Sequence, residues 1–284
     1  REGVLGLTLA EALEPYWYRR SQLSEGLRWL EPLLELGATA PPAIRAGALG
    51  VAGRLAWELG GDDPRVPRWY EESLALARAS GDRTREAWAL HGLGTLAWRA
   101  GDYDRARDRF EESLALFLEL GEHGPAGGRL SYLGELALQA GDTRAARAYF
   151  ERSIGEYAAA GDESGVVGST SSVGDVALVE RDFEAALRSY GAVLARATEP
   201  LTLVWILAGI AAAAAATGRA LEAARLWGAS QRLHEEIEQP MTPGERERFE
   251  RHLGSLDEHE VAVGRALATE DAVSLGLQLA REPG

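Results

Sequence analysis

Five histidines, one serine run and one glycine cluster are the residues best placed to do chemistry in this chain of 284 residues. His252 and His259 stand seven apart on what reads as one helix, with Glu245 and Glu260 nearby. Seven residues span about two helical turns, too far for a two-histidine chelate without further ligands. The segment His234-Glu235-Glu236-Ile237-Glu238 lacks the second histidine of a zinc-protease helix, and His91 and His123 have no metal-ligand spacing around them. Ser169-Thr170-Ser171-Ser172 has no glycine-flanked elbow to present a nucleophile and reads as a helix start or a polar helix face. Gly124-Pro125-Ala126-Gly127-Gly128 reads as a loop without the rest of a phosphate-binding motif. Missing residue types narrow the field further. The chain has no cysteine, lysine or asparagine, and all 30 basic residues are arginine. That rules out a thiolate metal site, a cysteine nucleophile, a Walker-type lysine and a Schiff-base lysine. No catalytic or metal-ligating constellation survives and no cofactor is implied. The expectation is a protein that binds and is not an enzyme.

Composition sets the setting for that binding. A formal charge of −14 repels nucleic-acid phosphates, so direct nucleic-acid contact is not expected. No apolar stretch of about 18 residues appears, the nearest being the short, alanine-rich Leu201 to Ala216, so no membrane span is expected. The absence of cysteine and of a signal-peptide pattern fits a cytoplasmic location. Arginine in place of every lysine fits a GC-rich bacterial genome, and a start at Arg1 inside helical-looking sequence fits an excised piece of a longer protein.

The elements that position these residues follow from a forty-residue period. Gly61-Asp62, Gly101-Asp102, Gly141-Asp142 and Arg181-Asp182 recur at that spacing, with Ser21 upstream and Gly218-Arg219 downstream. Nine residues after each turn stands a large apolar residue: Leu30, Tyr70, Phe110, Phe150, Tyr190 and Trp227. Five residues after most of them stands a small one: Gly26, Ala106, Ala146, Ala186 and Ala223. A second glycine column, Gly81, Gly121 and Gly161, marks the joint between units. Each unit reads as two amphipathic helices, the glycine terminating the first and the aspartate capping the second. Pro15 and Pro32 fall inside helical stretches and predict kinks or breaks, and Gly60-Gly61 with Pro64 predicts a one-residue shift. After Gln239-Pro240 the period is lost. Thr242-Pro243-Gly244-Glu245 and Thr269-Glu270-Asp271 begin further helices that seal the last unit. The domains expected are a repeat array over 1–238 and capping helices over 239–284.

The pattern resembles the tetratricopeptide repeat. Leu93-Gly94, Gly101-Asp102-Tyr103, Ala106 and Phe110 match it, as do Leu133-Gly134, Gly141-Asp142, Ala146 and Phe150, and Val173-Gly174, Asp182-Phe183, Ala186 and Tyr190. The resemblance implies an all-α, right-handed superhelix of about six helix pairs with a concave groove lined by each pair's first helix. Segments such as Tyr16-Trp17-Tyr18-Arg19-Arg20, Leu23 to Glu31, Phe110 to Leu116, and Ala224 to Ala229 followed by Pro240 and Phe249-Glu250-Arg251 are similar to the C-terminal sensor half of bacterial MalT, AfsR and LuxR-like ATP-binding transcription regulators. That narrower resemblance implies a signal-sensing domain that binds a protein or peptide partner or a small-molecule inducer. The other reading is a free-standing peptide-binding adaptor or scaffold.

Carried over residue by residue, the repeat geometry places Tyr18, Trp57, Trp98, Leu138, Leu178 and Ala215 in the groove. Arg54, Glu58, Trp88, His91, Thr95, Arg99, Glu135 and Asp175 are its neighbours. The aromatic residues among them suit a peptide or a flat ligand. The family's two-carboxylate clamp needs lysine and asparagine, which this chain lacks.

Overall fold

The computed structural model describes residues 2–60, 63–197, 199–238, 241 and 243–281, without the side chains of 243–245. The secondary structure of the described residues is entirely helical. Six helix pairs follow one another in sequence. They begin with α1 (Glu2–Arg19) and α2 (Leu23–Leu36), α3 (Pro42–Glu58) and α4 (Val66–Ser80), and α5 (Arg83–Arg99) and α6 (Tyr103–Leu120). They continue as α7 (His123–Gln139) and α8 (Thr143–Ala160), α9 (Glu163–Glu180) and α10 (Phe183–Leu194), and α11 (Pro200–Ala216) and α12 (Ala220–Glu236). Three tail helices follow: α13 (Pro243–Leu253), α14 (Glu258–Ala266) and α15 (Thr269–Arg281). The chain divides into two compact units, Arg1–Leu136 and Ala137–Gly284. The boundary expected after 238 falls inside the second unit, where one hydrophobic cluster joins α10–α12 to Phe249, Leu253, Ala272 and Leu279 of the tail.

The turns between helices are built from the glycine–aspartate column. Gly101 takes φ 77°, and the Asp102 N–H reaches back to the Ala97 carbonyl at 2.9 Å, which closes α5. The Asp102 carboxylate then accepts the Arg105 N–H at 3.2 Å and opens α6. One residue thereby ends one helix and caps the next. Asp82, Asp142, Asp162 and Asp182 repeat the device. Ser21 and Arg181 hold the left-handed position without being glycine, at φ 53° and 62°. The Gly61-Asp62 turn, the Gln239-Pro240 boundary, the Thr242 cap and the Glu245 side chain lie outside the described residues.

The aromatic column fills notches cut by glycine. Tyr70 lies between Gly53 of its own pair and Gly92 of the next, where an added Cβ would meet its ring at 2.8 and 2.4 Å. Tyr190 lies likewise between Gly174 and Gly209, and Phe110 against Gly94. A buried serine three residues further on fastens helix to helix. Ser73 donates to the Ala46 carbonyl, Ser113 to that of Ala87 and Ser230 to that of Val204, at 2.8, 2.8 and 2.9 Å. Ser153 pairs with Ser169 across α8 and α9 at 2.9 Å.

Three expectations need correction. Helices α1 and α2 run unbroken through Pro15 and Pro32. Proline removes one N–H from each, and tertiary packing holds the rest of the helix together. The cluster from Gly124 to Gly128 is the first turns of α7, with Pro125 at an early position where its missing N–H has no helical partner to lose. His252 and His259 sit on separate helices, α13 and α14, parted by Gly254 at φ 61°. No described helix is long and apolar enough to cross a membrane.

Candidate partner-binding site

In the first unit, the first helix of each pair divides its surface by contact. On α3, Gly53 faces Tyr70 of α4, and Leu55 packs toward Gly26 of α2. The face left over carries Gly47, Gly50 and Arg54, at helical spacings of three and four. On α5, Gly94 faces Phe110, Gly92 faces Tyr70, and the remaining face carries Arg85 and Trp88. With Glu11 and Glu14 of α1, these residues line a cleft of about 480 Å³.

Two ion pairs cross that cleft. Both Glu11 oxygens accept from the Arg85 Nη2, at 2.7 and 2.9 Å, and one also accepts from the Nε at 3.0 Å, linking α1 to α5 over α3. A Cβ at Gly47 would stand 2.3 Å from the Glu11 carboxylate and 2.5 Å from the Arg85 Nε, so any side chain there would make this bridge shift. Glu14 grips Arg54 with both oxygens, at 2.5 and 2.6 Å, and the guanidinium lies 5.4 Å from the Trp88 ring centre. Burial disfavours the charge on Arg54, but the hydrogen bonds and charge of Glu14 outweigh it and hold the guanidinium firmly protonated. The Tyr18 hydroxyl is pushed up to about 12, first by burial and then by the carboxylate of Glu58, with Glu14 adding to it and Arg54 opposing.

The structure brings Arg54 and Trp88 together in this cleft, while Tyr18 feels the charges of Arg54, Glu14 and the exposed Glu58. Trp57 is covered by the guanidinium of Arg99 at 5.2 Å, and Arg99 also donates to the Gly60 carbonyl at 2.8 Å. Trp98 and His91 belong to a ring cluster. Trp98 stands edge-on to Phe110 and Tyr132, and His91 packs against Trp88, Phe110 and Tyr132. The His91 Nδ1 is buried with no hydrogen-bond partner among the described residues. Burial, then the charges of Arg129 and Arg54, hold its imidazole well below the usual 6.5. Arg129, nearly all buried, lies over both Trp88 and Phe117. Thr95 turns back to the His91 carbonyl at 3.0 Å, and Glu135 is half-buried on α7.

The second unit holds the other four expected residues, Leu138, Asp175, Leu178 and Ala215, the last of them half-buried on α11. Leu138 is no groove residue, because it is buried in a small cluster with Ala146, Phe150 and Val176. Leu178 is fully buried as well. Asp175 accepts the Tyr190 hydroxyl at 2.6 Å and an Arg248 N–H at 3.0 Å. No group of three or more histidine or acidic side chains among the described residues is set to hold a metal ion. The partners that sequence reasoning passed over are Glu11, Glu14, Arg85, Arg129, Tyr132 and Arg248. The spacing of three between Glu11 and Glu14 was readable as one helix face, but which arginines they would meet across forty and more residues was not.

Residues 68–119, from within α4 to the end of α6, match a family model described as tetratricopeptide repeat. No curated protein matches the chain. Among solved structures, BtubC (BKLC) from P. vanneervenii is 18% identical, with a TM-score of 0.64 over 78% of this chain and 93% of its own. A structure of kinesin light chain repeats from Podosopora anserina, described as nearly identical and TPR-like, is 15% identical. Its TM-score is 0.54 over 66% of this chain and 93% of its own. The pilF protein of Pseudomonas Aeruginosa is 17% identical, with a TM-score of 0.52 over 94% and 99%. At such identities the likeness is one of fold. Model and fold together support a tetratricopeptide-type repeat scaffold, a type that generally serves protein–protein interaction and not catalysis.

Proposed function

We propose that the cleft across α1, α3 and α5 binds a protein segment that brings basic and flat apolar side chains, and that the chain serves as a partner-sensing scaffold. The observation that carries this reading is the pair of bridges that tie α1 to α3 and to α5 above the glycines of α3. Such bridges hold Trp88 and the carboxylates at a fixed spacing, so an incoming segment meets a charged face that is already ordered. The cleft carries Glu11, Glu14 and Asp82 against Arg54 and Arg85, so it favours a basic segment, as does the net charge of −14. The finer reading is the regulatory region of a bacterial signal-responsive transcription regulator. It rests on the segments quoted from the sequence and predicts a phosphate-binding ATPase and a DNA-binding domain in the same open reading frame. A frame that encodes neither would leave the adaptor reading.

A displayed peptide library tests the cleft directly. Peptides selected on the chain are expected to be rich in arginine or lysine with an aromatic residue. Their affinity should fall by about 1–3 kcal/mol when Glu11 and Arg85 are changed together to Gln, a change that removes the bridge and keeps the net charge. Selected peptides that bind this variant as well as the parent would place the site elsewhere.

A further inference from the structure

In the second unit, α9 and α11 divide their surfaces as α3 and α5 do. On α9, Gly174 faces the Tyr190 ring and Ser169 bonds to Ser153 of α8. On α11, Gly209 faces Tyr190 and the Val204 carbonyl accepts from Ser230 of α12. The face left over carries Gly168, Ser171 and Asp175 on α9 and Leu201, Thr202 and Trp205 on α11. Here a helix of the chain itself lies on it. Arg248 of α13 pairs with Asp175, the residue that follows the notch glycine as Arg54 does in α3. Phe249, the next residue, is 3% exposed and packs 6.4 Å from the Trp205 ring. His252 stands edge-on to Phe183 at 5.6 Å, and Leu253 is buried.

Helix α13 adds Phe249 and Leu253 to the hydrophobic cluster of α10–α12, but it is not alone in closing the end of the stack. Helix α14 lies so close on α12 that a Cβ at Gly264 would meet the Arg225 backbone, and α15 packs on α10, α11 and α12. Nor does α13 fill the face, since a cleft of about 310 Å³ remains between it and the two first helices, walled by Trp205, Phe249, Arg248, Ser171 and Thr202. Core contacts interdigitate more tightly than that. We infer that the free face of α9 and α11 is a binding face for a short amphipathic helix with an arginine beside an aromatic residue, and that α13 occupies it in cis. An external helix of the same chemistry takes the face by displacing α13, so the tail sets how strong a partner must be.

The probe is a fluorescein-labelled peptide of residues 242–256, added to the full chain. In the parent, the tethered helix outcompetes it. In the chain carrying Arg248→Glu and Phe249→Ala the peptide should bind about tenfold tighter or more, and a peptide with the same two changes should not. Arg85→Glu, in the other unit, should leave this binding unchanged, which separates the test from that of the first cleft. Hydrogen exchange on the single variant Arg248→Glu gives a second reading, with α13 amides exchanging well ahead of those of α15. Equal peptide binding by parent and double variant, loss of the fold in the double variant, or exchange of α13 in step with α15 would each make α13 a core element and overturn the inference.

Discussion

His91 carries the sharpest consequence at the scale of single residues. Its imidazole is neutral in the fold because burial and two nearby guanidiniums, those of Arg129 and Arg54, disfavour its charge. The unfolded chain protonates it near 6.5. Stability is therefore complete above about pH 7.5 and falls as pH drops below 6.5, by up to about 1.4 kcal/mol per pH unit, because the unfolded state takes a proton that the folded state refuses. Denaturant melts of the parent between pH 5 and 8 should show that slope, and His91→Leu should flatten it. His252 is shifted the same way, by burial and then by Arg251 and Arg181, so the difference between the two chains isolates His91. An unchanged slope in the variant would mean that His91 takes up its proton without strain. Glu14→Ala should act through charge instead, leaving Arg54 half-buried and unpaired at a cost of about 1.5–3 kcal/mol, read from the same melts at pH 7.

At the scale of helices, the glycine notches explain both what was legible in the sequence and what was not. Gly92→Ala gains about 1 kcal/mol of helix propensity but drives a methyl to 2.4 Å from the buried Tyr70 ring. Overpacking should outweigh the gain and leave the variant less stable by about 1–2 kcal/mol, whereas Gly155→Ala on α8, with nothing near its Cβ, should be neutral or stabilising. Thermal melts of the two variants settle the comparison. The turn and aromatic columns could be read because each is a local requirement repeated every forty residues. The serine column at 73, 113, 153 and 230 recurs in most pairs and went unread, since serine is common and its partner lies on another helix. Trp98 and His91 were expected in or beside the groove, and their closure into a ring cluster depends on Tyr132 of the following pair. Leu138 shows the limit of a transferred register, because the position expected in the groove is buried against Ala146, Phe150 and Val176 in this pair. The tail was read as a cap, and its helix α13 gave no sequence sign that it would lie across α9 and α11.

At the scale of the whole molecule, a repeat protein is held together chiefly by contacts between neighbours, and its end units fray one at a time. The Glu11–Arg85 bridge departs from that rule, since it ties the first helix to the fifth across 74 residues. In the language of a one-dimensional chain of coupled units, it adds a next-nearest-neighbour term that makes opening of α1 depend on α5. The first three pairs should accordingly melt as one cooperative block, with α1 amides protected almost as well as those of α3. Glu11→Gln should uncouple them, and hydrogen exchange would then show α1 opening alone while α3 and α5 keep their protection. Gly47, which leaves the bridge its path, is then a residue whose side chain would change how many units open together and not merely how stable each one is.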